Sequence, residues 1–112
     1  MQQATVLVER RTRVLRTGQC PCCSRILLLT FHHLIPKKVH RRQRFSNSFD
    51  RNALSLGIYI CRDCHQHIHR TYDEMQLASN YRTPEALIND PVMRPHFQWL
   101  ARQRRRSANG LC

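Results

Sequence analysis

Two short apolar runs stand in the middle of a chain that is otherwise polar and basic. The run Ile26–Phe31 ends in β-favouring residues, which predicts a buried strand leading into a pair of histidines. The run Ile58–Ile60 follows a glycine and predicts a second strand that pairs back on the first. No Gly or Pro interrupts the chain from Arg62 to about Met75, so a helix is predicted there.

The two ends of the chain give less regular patterns. The first 18 residues mix apolar residues with arginines, and this pattern fits either a strand or a helix. Near the other end, Thr83-Pro84-Glu85 combines a cap residue, a first-turn proline and an acid, and Asp90-Pro91 repeats that signal. Two short helices are therefore predicted. The apolar residues expected to be buried by the second are Val92, Phe97, Trp99 and Leu100.

The length of 112 residues is that of one domain. We predict an α+β fold in which the central region, residues 19–75, carries the strands and the first helix. A basic extension, 1–18, precedes it. A helical extension with a basic tail, 76–112, follows it.

Charge narrows the range of partners. The chain has 19 Lys and Arg against 7 Asp and Glu, a formal net charge of +12, which favours a polyanion such as nucleic acid. A membrane surface is disfavoured because no basic helix has an aromatic apolar face and no apolar run approaches the length of a bilayer span. No signal peptide is predicted at the N-terminus, and the expected location is the cytoplasm.

Cysteine spacing predicts a structural zinc site. Cys20 with Cys23 and Cys61 with Cys64 form two Cys-x-x-Cys pairs, whose bite suits a tetrahedral ion. In a chain without a secretion signal such pairs indicate thiolate ligands and not disulfides. Cys22 lies inside the first pair and is an alternative ligand.

Histidines cluster in the same region. A single histidine is ordinarily a structural residue, but His32 and His33 end a predicted strand, while His65 and His69 are four residues apart and share a helix face. His67 points elsewhere on that helix. Neighbouring residues of a regular strand point to opposite faces, so His32 and His33 serve one site only where the strand ends or is distorted.

These residues resemble the His-Asn-His (HNH) nucleases, in the subgroup whose ββα-metal motif is stapled by four cysteines. The resemblance rests on Leu29–Pro36 and Ile60–His69 and covers about half the chain, from Cys20 to roughly Tyr72. It implies a small ββα-metal fold with a structural zinc knuckle, here with additional C-terminal helices. It also implies a metal-dependent endonuclease that hydrolyses phosphodiester bonds in DNA.

Carried over residue by residue, the resemblance implies separate roles for the histidines. His33 would be the general base, and His32, His65 and His69 would hold a catalytic divalent ion (Mg²⁺, Mn²⁺, Ni²⁺ or Zn²⁺). The chemistry agrees, because an imidazole titrating near neutrality can deprotonate water and a divalent ion can offset charge on the leaving oxygen.

The chain departs from the family at the middle asparagine. Gly57 stands where that residue normally lies, and Asn47 and Asn52 are the candidates to replace it. In the family the asparagine braces the loop that carries the base. The departure keeps a second interpretation open, a zinc-knuckle module that binds nucleic acid without cutting it. A redox role is a more distant alternative, since no βαβ pattern accompanies the Cys-x-x-Cys pairs.

A basic run follows directly after the proposed base. The segment 37–44 and the polar stretch 45–52 after it are predicted to be a loop. The basic segment is predicted to grip the phosphate backbone, as an alternative to a merely solvated run of charge. Its cations are Lys37, Lys38, Arg41, Arg42 and Arg44. DNA is the predicted partner, with RNA as an alternative, and a second copy of the chain or a targeting protein would help to direct so small an enzyme.

Overall fold

An antiparallel sheet of four strands, in the order β1-β4-β3-β2, lies at the centre of the computed structural model, which describes residues 6–103. The strands are β1 (Glu9–Arg10), β2 (Arg16–Gln19), β3 (Ile26–His33) and β4 (Leu56–Cys61). The predicted pairing of the two apolar runs is confirmed, since β3 and β4 pair antiparallel. The α+β class is likewise confirmed, because helices pack against this sheet.

The N-terminal segment completes the sheet. β1 pairs with β4 and β2 pairs with β3, so residues predicted as an extension supply strands on both sides of the central pair. Thr12, between those strands, donates its backbone N–H to the hydroxyl of Tyr59 at 2.8 Å. β4 therefore has a neighbour on each side and is buried along almost its whole length.

Between β4 and residue 103 the chain forms four helices: α3 (Arg62–Thr71), α4 (Glu74–Asn80), α5 (Pro84–Ile88) and α6 (Arg94–Ala101). The helix predicted to reach about Met75 ends at Thr71, because Asp73 begins α4 through a capping box with Gln76. The predicted start of α5 is confirmed, since the Thr83 hydroxyl accepts from the N–H of Ala86. Over residues 6–103, no helix has the length and apolar character needed to cross a membrane.

The last helix differs from its prediction in two ways. α6 begins at Arg94 and not at the Asp90-Pro91 signal; the Asp90 carboxylate accepts instead from the hydroxyls of Tyr72 and Tyr81 and from the N–H of Met93. Phe97 and Leu100 are buried as predicted, but Val92 and Trp99 are 64% and 47% exposed, so that part of the prediction is wrong. Most of the predicted basic tail lies beyond the described residues.

The basic run is more ordered than the predicted loop. A single 3-10 turn (Lys37–Val39) and two four-residue helices, α1 (Gln43–Ser46) and α2 (Arg51–Leu54), connect β3 to β4. The prediction missed them because it weighed the charge of the run and not two apolar residues, Val39 within it and Phe45 directly after it. Both are buried, in a small second core with Ile35 and Ala78.

Gly57 allows a direct test of packing in the centre of the sheet. A Cβ at this position would collide with the carbonyl oxygen of His32 and would lie 2.5 Å from the ring of Phe31. We expect Gly57→Ala to lower the free energy of unfolding by about 1–3 kcal/mol, measured by urea denaturation, because backbone and ring cannot both move away.

The matched control is Gly18→Ala on the edge strand β2. A Cβ there would lie 3.5 Å from Leu29 Cδ1, an ordinary contact. This variant should change the free energy of unfolding by less than about 1 kcal/mol. Equal losses in the two variants would contradict the crowding seen at Gly57.

Candidate metal centres

Four buried cysteines meet at one end of the sheet. Cys20 and Cys23 lie in the turn between β2 and β3, Cys61 ends β4, and Cys64 lies in the first turn of α3. Their sulfur atoms all lie within 4.8 Å of one another. The two predicted pairs are thus brought together into a group that can bind a metal ion.

Backbone groups hold these sulfurs in place. Cys61 Sγ accepts from the N–H of Cys64 at 3.4 Å, and Cys20 Sγ accepts from the N–H of Cys61 at 3.3 Å. The first turn bends sharply, with Ser24 in the left-handed region (φ 69°) and its N–H donating to the carbonyl of Cys20. Such N–H groups stabilise thiolates, so the cluster is prepared for negative charge.

A guanidinium also faces the sulfurs. Arg25, whose side chain is 8% exposed, lies 3.3 Å from Cys23 Sγ and 3.1 Å from a carboxylate oxygen of Asp63. Contact with Cys20 raises the pKa of the Cys64 thiol, so the four sulfurs do not all ionise without a cation among them. Arg25 offsets part of that charge and ties the first turn to α3.

Cys22 does not belong to the group of four mutually close sulfurs. Its side chain is half-buried, and its thiol pKa is raised, chiefly by contact with Cys20. The sequence left Cys22 as an alternative ligand to a member of the first pair, and the structure brings Cys20 and Cys23 to the group. Cys112 lies outside the described residues.

Three histidines form a second group on the face of the sheet covered by α3. His32 lies on β3, while His65 and His69 lie one turn apart on α3, and the candidate ligand nitrogens of all three lie within 4.8 Å of one another. The ring centroids are 4.9–5.3 Å apart. This group too can bind a metal ion.

His32 has an unusual environment for a polar side chain. It is 1% exposed, and neither of its ring nitrogens has a hydrogen-bond partner in the described part of the chain. An unpaired buried polar group is costly, so an arrangement like this needs a partner from outside the chain. A metal ion bound by the three imidazoles would be that partner.

Neighbouring groups orient the other two rings. The Thr30 hydroxyl donates to the carbonyl of Ile60 at 3.0 Å and therefore accepts from Nδ1–H of His65 at 2.9 Å. Nδ1 of His69 faces the carboxylate of Glu74 at 3.6 Å. Fixing a proton on Nδ1 leaves the Nε2 lone pair free, which is how histidines are prepared as metal ligands.

Burial keeps two of the three rings neutral. It lowers the pKa of His32 to about 3 and that of His65 to about 4, with smaller contributions from the neighbouring histidines. Metal ions bind the neutral imidazole, so at neutral pH no proton competes with them at His32 or His65.

His33 points away from this group. β3 stays paired through His33, opposite Gly57, so the strand keeps its alternation and His33 lies on the other face from His32. Its ring is 5.0 Å from that of Phe31 and 5.8 Å from that of His40. Burial lowers the pKa of His33, with neighbouring cations adding to the effect.

A cavity of about 550 Å³ opens beside His33. It is lined by basic and polar residues with an apolar part: Lys37, His40, Arg41, Ser46, Phe49, Asp50, Arg51, Leu54 and Ser55. Of the five cations singled out in the sequence, Lys37 and Arg41 line it, whereas Lys38 lies 3.7 Å from Glu74 and Arg44 lies over the ring of Phe45. Arg42 is exposed.

Sequence reasoning missed the residues that orient the site. Thr30 lies two residues before His32, so strand alternation alone puts both on one face and was a usable signal. No pattern in the sequence indicated Arg25, His40 or Glu74, because the role of each depends on a contact with a residue from another segment of the chain. His67 faces away from the group and stacks on His96 at 3.9 Å.

Comparison with known proteins gives one relative. A Bacillus subtilis (strain 168) protein described as uncharacterized protein YisB is 30% identical over 87 residues, which cover 77% of this chain and 76% of that protein. No protein-family model and no solved structure matches the chain.

The cysteine group and the histidine group can be tested separately by substitution. In a His32→Ala background, which removes a ligand from the histidine group, we expect the protein to keep a tightly held ion through dialysis. Cys20→Ser should release it because three thiolates bind far more weakly than four. Cys22→Ser should retain it. Elemental analysis is the measurement, and loss of the ion in Cys22→Ser would contradict the assignment.

Proposed function

The chain belongs to the family of the Bacillus subtilis protein YisB, and from its own site we propose that it is a metal-dependent endonuclease that hydrolyses phosphodiester bonds in DNA. The observation that carries the proposal is His32, whose two buried nitrogens are unpaired and face His65 and His69. The hairpin of β3 and β4 followed by α3 supports the ββα-metal fold of the HNH nucleases.

The histidine group fits a divalent ion. His32, His65 and His69 would hold it through neutral nitrogens and leave positions open for oxygen ligands. When bound, the ion supplies positive charge to a phosphate oxygen and to the leaving oxygen. Thr30 and Glu74 keep the ligand rings in position.

His33 is the proposed general base. It is only partly buried, has no hydrogen-bond partner on its ring among the described residues, and opens on the basic cavity. In the proposed reaction its free ring nitrogen takes a proton from the attacking water. Its lowered pKa keeps the ring unprotonated, and therefore able to accept that proton, at neutral pH.

His33 and the three-histidine group lie on opposite faces of the sheet, and in the proposed reaction both act on the same phosphodiester. His33 directly follows His32 on β3, so one peptide unit separates the proposed base from a member of the ligand set. Both residues lie at the carboxyl end of β3, and we infer that the substrate crosses that end with its scissile phosphate between them. Lys37 and Arg41 line the cavity on the base side, where they would hold the adjoining backbone.

The four-cysteine group is proposed to hold structural zinc. Four buried sulfurs within 4.8 Å of one another are a ligand set that suits zinc, and they join the turn before β3, the end of β4 and the start of α3. An ion there would stabilise the elements that carry the histidines.

A second candidate function is nucleic-acid binding without cleavage. The observation in its favour is Gly57, where an asparagine side chain has no room, while Asn47 and Asn52 are both exposed. None of the hydrogen bonds of the described residues joins either amide to His33. The basic cavity would serve this function equally well.

Cleavage of plasmid DNA separates the two candidates. With Mg²⁺, Mn²⁺, Ni²⁺ or Zn²⁺ supplied in turn, we expect nicking by the wild type and a loss of about 10²–10⁴-fold in His33→Ala. His32→Ala should also lose activity. The control is His67→Ala, a histidine of α3 that stacks on His96 and faces away from the group.

Three outcomes would decide against this scheme. Binding without nicking in every metal would favour the second candidate. Equal nicking by wild type and His33→Ala would remove His33 as the base. An equal loss of activity in His67→Ala would show that the losses reflect disturbed packing and not the removal of a base or a ligand.

The cavity cations should act through the phosphate backbone. We expect Lys37→Gln and Arg41→Gln each to weaken DNA binding similarly for unrelated sequences and to lower the slope of log K against log salt by about 1. Fluorescence anisotropy over a salt series measures both. Lys38→Gln is the control, because Lys38 is paired with Glu74 and does not line the cavity; a sequence-dependent loss would argue against backbone contact.

A further inference from the structure

The segment after His33 is tied by one side-chain hydrogen bond. The ring Nε2 of His40 lies 2.6 Å from the carbonyl oxygen of Ile35. A carbonyl oxygen only accepts, so His40 donates Nε2–H. The bond closes a loop over five residues of chain and connects the basic run back to the end of β3.

Backbone bonds support the same loop. The N–H of Leu34 donates to the carbonyl of Leu56 at 3.2 Å, and the N–H of Val39 donates to the carbonyl of Pro36 at 3.0 Å. Between these two bonds, the carbonyl of Ile35 is held by His40. Ile35 and Val39 are 4% exposed, so the loop is packed on its apolar side as well.

His40 is also in contact with His33 itself. The two rings meet edge to face, with centroids 5.8 Å apart, and both line the basic cavity. The other ring against His33 is Phe31, on the same strand. Across the sheet from His33 lies Gly57, which has no side chain and no room for one.

We propose that His40 is a positioning residue for the base: its hydrogen bond to Ile35 and its edge contact with His33 fix the direction in which His33 faces the substrate. This inference rests on the proposed nuclease activity. A general base acts only when its nitrogen is within hydrogen-bond reach of the water, so a small rotation of the ring lowers the reaction rate strongly. None of the hydrogen bonds among the described residues fixes the ring of His33 directly. His40 restrains that ring instead, through its edge contact with His33 and its hydrogen bond to Ile35.

The experiment compares two substitutions of His40. Gln places an amide N–H near the position of Nε2 and can still donate to Ile35, whereas Leu fills the space and cannot donate. We expect His40→Leu to lower kcat about 10–100-fold with KM changed less than about twofold, and His40→Gln to stay within about threefold of wild type. His96→Leu, the same change at a histidine on α6, is the control and should leave cleavage unchanged.

A second measurement does not depend on activity. Backbone ¹⁵N relaxation of residues 33–35 should show increased motion in His40→Leu and motion like that of the wild type in His40→Gln. Metal content and thermal unfolding, measured on the same samples, show whether each variant is folded. Wild-type motion at residues 33–35 in folded His40→Leu would overturn the proposal.

Two results of the DNA cleavage assay would also contradict the positioning role of His40. Full activity in His40→Leu, or equal losses in His40→Leu and His40→Gln, would show that the donated hydrogen bond does not position the base. If the wild type cuts no DNA, the nuclease proposal is wrong and the positioning role falls with it. In that case, increased motion of residues 33–35 in His40→Leu but not in His40→Gln would show that the hydrogen bond to Ile35 orders this segment without contributing to DNA cleavage.

Discussion

The register of β3 against β4 determines where each chemical group of this protein lies. Leu29 is opposite Cys61 and His33 is opposite Gly57, so one run of hydrogen bonds joins the sulfur cluster to the histidine end of the strand. A slip by one residue would turn His33 toward α3 and His32 toward the basic cavity. Burial on both faces makes such a slip costly, because Ile58 and Ile60 on one face of β4 and Tyr59 on the other are all buried.

The elements differ in how far the sequence predicts them. The two apolar runs have the length and composition of strands, and the Cys-x-x-Cys spacing fixes the distance between two ligands of one ion. These patterns are local and can be recognised in the sequence alone. The strand pair, the start of α3 and the meeting of four cysteines were therefore predictable. The division of faces between His32 and His33 followed from alternation as well, once β3 was known to continue through both residues.

Other features depend on contacts between distant segments and were not predictable in this way. Val39 and Phe45 look like isolated apolar residues in a cationic run, yet each is buried in a small core. Asp90 accepts from the N–H of Met93, as a cap residue does, but its carboxylate also accepts from two tyrosines that lie on other parts of the chain. Trp99 has the helical spacing of a buried residue and is half-exposed, because spacing does not say which face finds a partner.

The alternation of β3 has one more consequence, which concerns unproductive coordination. An imidazole adjacent to a three-histidine set would ordinarily be a strong candidate for a fourth ligand, and it would then lose the lone pair needed to accept a proton. Here the pleat directs His33 to the face opposite the three-histidine group. Two consecutive histidines therefore face different surroundings, one among the rings beneath α3 and the other at the basic cavity.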